Sequence, residues 1–182
     1  MTLVLLDRDG VINIDSDSYV CSVEDWQPIP GSIEAIVRLK RAGFKVAVCT
    51  NQSGIARRMF TKDDLFLIHA KMQNALRASN VTLDAIYYCP HGPQDNCKCR
   101  KPMPGMLLEA MKDLGHEKTK TWFVGDSFRD IQAASRAGCP SILVQTGNGT
   151  TTEPKLKKGA VTKVCDDLAH ASRWLLSKSG TG

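Results

Sequence analysis

Residues 3–10, Leu3-Val4-Leu5-Leu6-Asp7-Arg8-Asp9-Gly10, run four apolar side chains straight into two carboxylates and a glycine. A short, uninterrupted apolar run is what a strand buried on both faces looks like, as in the middle of a parallel sheet. Working outward, apolar runs of strand length recur at residues 46–49, 85–89, 122–124 and 142–144, separated by segments long enough to be helices. That alternation predicts an α/β chain with a parallel sheet and right-handed crossovers. Between the first two runs, residues 31–43 (GSIEAIVRLKRAG) place Ile33, Ile36, Val37 and Leu39 at helical spacing and stop at Gly43. The same reading predicts helices over residues 62–78, 104–114, 129–137 and 166–176. Residues 147–160 read as an exposed loop without a catalytic part, and 178–182 as a disordered tail following a domain over 1–177.

The 182 residues suit a single domain, long enough to bury roughly 70% of the unfolded surface. The expected architecture is one three-layer Rossmann-like domain with a small zinc-binding loop. The net charge of +5 is spread along the chain apart from small groups at 57–58 and 155–158, which suits small anions better than a nucleic-acid stripe. Aromatic residues make up only 6%, too few for base-stacking platforms, so neither a nucleic-acid partner nor a nucleic-acid 3′-phosphatase activity is expected. No apolar stretch approaches the roughly 18 residues that span a bilayer. MTLVLL leads into Asp7 without a basic-then-apolar leader, so the expectation is a cytoplasmic protein with no membrane partner, a monomer by default.

Ligands of an open parallel sheet bind beyond the carboxyl ends of its strands. Asp7 and Asp9 follow the first strand, Thr50 and Asn51 the second, Arg100 and Lys101 the third, and Asp126 the fourth. Period-two geometry aims Asp7 and Asp9 the same way until Gly10 releases the backbone. Two like charges held together need a hard cation with oxygen ligands, for which magnesium is the economical choice. Taken alone, DxDG reads equally well as a polar turn; the other strand ends shift the balance. Thr50, Asn51, Gln52 and Ser53 supply neutral donors for phosphate oxygens, and Arg100 and Lys101 supply cations for a transferring phosphoryl group. Gly125 permits close approach to Asp126, which completes the carboxylate set with Asp7. Asp130 reads either as a partner of that set or as an ordinary acidic residue in a first helical turn.

In residues 89–99 (CPHGPQDNCKC), the spacing Cys89-x-His91-x5-Cys97-x-Cys99 supplies three thiolates and one imidazole. This is a full tetrahedral set with no position left for water, hence a structural Zn2+ site rather than disulfides. Cys21, Cys49, Cys139 and Cys165 read as small core residues. A rigid zinc loop would hold Arg100 and Lys101, which follow it directly.

Taken in order, DRDG (7–10), TN (50–51), RK (100–101) and GDSFRD (125–130) resemble the four motifs of the haloacid dehalogenase superfamily, over residues 3 to about 147. The resemblance implies that Asp7 is the nucleophile and Asp9 the general acid/base, with Thr50 and Lys101 stabilising the phosphoryl group. It implies catalytic Mg2+ on the Asp7 side chain, the Asp9 carbonyl and Asp126. The text DRDGVINID, TNQSGIAR, YYCPHGP and CRKPMPGML is similar to the zinc-bearing D-glycero-D-manno-heptose 1,7-bisphosphate 7-phosphatase branch, which supplies nucleotide-activated heptose for lipopolysaccharide. That resemblance implies a small phosphorylated sugar substrate touched by Arg8, Asp15, Ser16, Asp17, Ser18, Asn51, Gln52, Ser53 and Arg100. No large cap domain fits the short intervals. The interval between His91 and Cys97 is short, as in the related histidinol-phosphate phosphatases, and Ser127 stands where many relatives have Lys; histidinol phosphate is therefore the alternative substrate. Arg57 and Arg58 either lie near a distal phosphate or are exposed without a role. A non-catalytic phospholigand-binding scaffold would go with loss of Asp9 or Asp126, and both are present.

Overall fold

The computed structural model describes residues 1–16 and 18–179. Six strands form one wholly parallel sheet: β1 (Leu3–Leu6), β2 (Lys45–Asn51), β3 (Ala85–Cys89), β4 (Thr121–Gly125), β5 (Ser141–Val144) and β6 (Lys163–Cys165). Their spatial order is β3-β2-β1-β4-β5-β6, with Leu3 of β1 in register with Lys45 on one side and Thr121 on the other. Helices α1 (Ser32–Arg41), α2 (Lys62–Arg77), α3 (Gly105–Asp113), α4 (Phe128–Ala137), α5 (Gly149–Thr152) and α6 (Leu168–Ser179) connect or follow the strands.

Strand β1 explains the layering. All four of its residues are buried, and successive side chains point to opposite faces. Leu3 and Leu5 join a core with Leu107, Ala110, Ala133 and Ala134 of α3 and α4. Val4 and Leu6 join a second core with Ile36, Leu39, Ile68 and Leu175 of α1, α2 and α6. The result is helices, sheet, helices, with each buried Leu contributing about 1.5–3 kcal/mol relative to an exposed one. The start of α2 is fixed by a reciprocal cap: Asp64 N–H donates to Thr61 Oγ1 at 3.1 Å and Thr61 N–H to Asp64 Oδ2 at 2.8 Å.

The five expected strands are present, each within two residues of its predicted ends. Strand β6 goes unpredicted because Lys-Val-Cys is too short to show a period. The expected loop 147–160 contains α5. Helix α6 runs through Lys178 and Ser179, beyond the predicted start of the tail, with Lys178 Nζ 5.6 Å from the centre of the Trp174 ring. Residues 180–182 and Asp17 lie outside the described residues. Among the described residues no inserted domain interrupts the sheet, and no helix is long and apolar enough to cross a membrane.

Candidate active site and metal centre

Strand order reverses between β1 and β4, and a cavity of about 290 Å3 opens beyond their carboxyl ends. Asp7 and Asp126 follow these two strands and line it. The ladder continues into the site, since Asp7 N–H donates to Val124 O at 2.9 Å. Alternation along β1 sends Asp7, like Leu3 and Leu5, toward the α3/α4 side. There Lys101 Nζ stands 2.7 Å from Asp7 Oδ2 and 2.7 Å from Asp130 Oδ1. Lys101 is only 1% exposed, its ammonium also 5.3 Å from the centre of the Phe123 ring. Its backbone is held at both polar atoms by one side chain: Lys101 N–H donates to Asn51 Oδ1 and Asn51 Nδ2 donates to Lys101 O, each at 3.0 Å.

Asp7, Asp126 and Asp130 bring carboxylate oxygens within 4.8 Å of one another, against a single lysine. Burial, then Asp130, pushes Asp7 well above the usual carboxylate range against the pull of Lys101. Burial and Asp130 likewise raise Asp126 to about 7. Burial acts to raise Asp130 too, but Lys101 and hydrogen bonds from Ser127 hold it low. Two strained carboxyls on a set with excess negative charge fit a hard divalent cation, which would relieve the repulsion. Asp130 fills both roles left open by the sequence: it pairs with Lys101, and its Oδ2 caps α4 by accepting from Ser127 N–H at 3.0 Å and Ser127 Oγ at 2.7 Å.

Asp126 is wedged between two glycines. A Cβ on Gly10 (φ +78) or on Gly147 (φ +57) would overlap Asp126 Oδ2. Asn148 completes the grip, donating to that oxygen from its backbone N–H at 2.7 Å and from Nδ2 at 3.0 Å. The loop after residue 146, read from sequence as having no part in the site, thus supplies a residue to it. The carboxyl-end rule applied to β5, whose last residue is Val144, would have found it.

Asp9 lines the same cavity as Asp7. Arg8 Nε and Nη2 donate to its two oxygens at 2.9 and 3.0 Å, Asn13 Nδ2 to Oδ1 at 2.9 Å, and Gln52 Nε2 to Oδ2 at 2.9 Å. Although burial acts to raise Asp9, the Arg8 charge and these donors hold it below the usual range. Arg8, expected from the resemblance to touch the substrate, sits beneath the cavity. It is 0% exposed and does not line the cavity, because alternation turns it toward α2, where its Nη1 lies 3.4 Å from His69 Nε2.

Of the remaining expected residues, Thr50, Gln52 and Ser53 are buried in the cavity wall, with Gln52 Nε2 donating to Thr50 Oγ1 at 2.9 Å. Asp15 and Ser16 line it as well, whereas Ser18 is exposed outside it. Arg100 and Arg57 line the rim; Arg58 does not. Tyr19, Ser127 and Arg129 also line the cavity, and the sequence marked none of them as a contact. Burial, then the charge of Arg129, lowers Arg100 from the ordinary arginine value.

At the end of β3, the sulfurs of Cys89, Cys97 and Cys99 lie 3.3–3.6 Å apart, and His91 Nδ1 is 3.6 Å from Cys89 Sγ and 3.4 Å from Cys99 Sγ. A tetrahedral ion with thiolates at about 2.3 Å needs ligand atoms about 3.7 Å apart. The four side chains therefore already outline a closed metal site. Arg100 Nη1 donates to the backbone oxygen of His91 at 3.1 Å, joining this loop to the cavity rim.

A carboxylate-lysine cluster at the switch point of a parallel sheet suits phosphoryl transfer, and the family matches make the class a hydrolase. The haloacid dehalogenase-like hydrolase profile matches residues 4–80, and the HAD-hydrolase-like profile residues 98–171. The chain is 48% identical over 181 residues to a D-glycero-beta-D-manno-heptose-1,7-bisphosphate 7-phosphatase of Bordetella bronchiseptica, covering 98% of this chain and 100% of the relative. A Pseudomonas aeruginosa protein of the same name is 48% identical over 176 residues, covering 96% and 98%. A crystal structure of D,D-heptose 1,7-bisphosphate phosphatase from B. bronchiseptica, complexed with magnesium and phosphate, superposes with a TM-score of 0.93 at 48% identity, covering 98% and 99%. The chain belongs to the haloacid dehalogenase-like hydrolases.

Proposed function

We propose that this chain removes the 7-phosphate of D-glycero-D-manno-heptose 1,7-bisphosphate through an aspartyl-phosphate on Asp7, in the beta anomer for which its relatives are named. The reading is carried by Asp7, which lines the cavity with its side chain 13% exposed and Lys101 Nζ 2.7 Å from its carboxylate. Asp7 Oδ attacks phosphorus, the bond to the sugar oxygen breaks, and Asp9, a carboxylate in the free protein, takes up the remaining proton of the phosphate monoester as the substrate binds and gives it to the departing alkoxide. Asp9 then takes a proton from water, which attacks the aspartyl-phosphate and frees phosphate and Asp7. Lys101 and the Thr50 hydroxyl face the phosphoryl oxygens, and the Arg8, Asn13 and Gln52 donors orient Asp9. Asp7, Asp126 and the Asp9 carbonyl would hold Mg2+, with Asp130 close by; when bound it neutralises phosphate charge so that a carboxylate can approach. Cys89, His91, Cys97 and Cys99 would hold a structural Zn2+.

Phosphate release from both anomers of the bisphosphate and from histidinol phosphate, with magnesium present and Asp7→Asn as the blank, tests this reading. The expected result is a preference for the beta bisphosphate that vanishes in the variant. Preference for histidinol phosphate, or release undiminished by Asp7→Asn, would refute it.

A further inference from the structure

The chemistry at Asp7 leaves part of the cavity wall unused. Arg129 lines the cavity beside Arg100 and Arg57, and it and Arg100 also line an adjoining cavity of about 300 Å3. Among the described residues neither Arg57 nor Arg129 forms an ion pair with a carboxylate, and Arg100 spends one nitrogen on the His91 carbonyl. The nearest acid on its own helix, Asp130, is committed to Lys101 and Ser127. Arg129 is the second residue of α4, where the helix end is already electropositive and a cation is disfavoured. Ser127, used as the helix cap, adds no charge of its own. Like charges gathered at such a position, with no carboxylate ion pair among the described residues and facing the cavity, suit an anionic group of a ligand.

A sugar phosphorylated at both ends carries its second phosphate several bonds from the one attacked, at the rim rather than at Asp7. We infer that Arg129, together with Arg100, receives the phosphate that is not transferred, and so makes the site selective for a bisphosphate over the corresponding monophosphate. The planar guanidinium suits this task, because two parallel N–H groups match two phosphate oxygens. The inference rests on the bisphosphatase reading above.

The test compares kcat/KM for heptose 1,7-bisphosphate with that for heptose 7-phosphate in wild type, Arg129→Ala and Arg129→Lys, with thermal melts to confirm folding. Losing a charge-assisted phosphate contact should cut the bisphosphate-to-monophosphate ratio about tenfold in Arg129→Ala, mainly through KM, with partial recovery in Arg129→Lys. An unchanged ratio, or equal losses on both substrates, overturns the role of Arg129 while leaving the bisphosphatase reading intact. A wild-type enzyme with no preference for the bisphosphate overturns both.

Discussion

His69 contributes no atom to the cavity, yet it anchors the charge beneath it. Arg8 is fully buried between the Asp9 carboxylate and His69 Nε2, so the imidazole must stay neutral to accept from the guanidinium. Burial, then the Arg8 charge, pushes His69 down to about 3, whereas an unfolded histidine titrates near 6.5. Between these values the unfolded chain binds a proton that the folded protein refuses, so this contribution to stability is intact above 6.5 and is lost as pH falls. In urea titrations at pH 7.5, 6 and 5, the stability difference between wild type and His69→Gln should shrink with falling pH, by up to about 1.4 kcal/mol per pH unit. The carboxylates of the cluster titrate in both proteins and cancel. A pH-independent difference would mean that His69 keeps an ordinary affinity for protons. At this scale the gathering of Asp7, Asp9, Lys101 and Asp126 around one cavity was legible because each follows a strand of a parallel sheet in chain order, on the side where such a sheet binds its ligands. The burial of Arg8 against His69 and the part played by Asn148 were not legible, because both depend on which neighbour the side chain meets, and neighbours distant in sequence leave no local pattern.

The loop after β3 links metal binding to the rim of the cavity through one hydrogen bond, Arg100 Nη1 to the His91 carbonyl. Freeing His91 from a closed site should free Arg100 with it. Cys97→Ser should lower zinc stoichiometry, measured by elemental analysis, and reduce kcat/KM about tenfold, with added magnesium failing to restore it. Full turnover in zinc-depleted protein would show that the loop holds its shape without the ion. The Cys89, His91, Cys97, Cys99 cluster was legible from spacing alone, since four soft ligands in eleven residues have few other uses. Strand β6 and helix α5 were not, because three residues and four residues are shorter than the periods that betray a strand or a helix.

One sheet carries both cores, so neither helical layer can come away without exposing β1. Trp26 lies in the core on the α1/α2/α6 side and the other two tryptophans, Trp122 and Trp174, pack against that core, edge to face with each other at 5.3 Å between ring centres. Their fluorescence therefore reports one layer, while far-UV circular dichroism reports both. The two signals should trace the same urea transition at a single midpoint. Separated midpoints would show that the α3/α4 layer melts independently. The meeting of two loops at Asp126 has a different consequence, for inheritance. The room that keeps this carboxylate in place is supplied by Gly10 and Gly147, neither of which offers a side-chain ligand. A descendant with alanine at either position would keep every acidic residue of its motifs and still have lost the pose they require, passing for an enzyme to any reader of ligands alone.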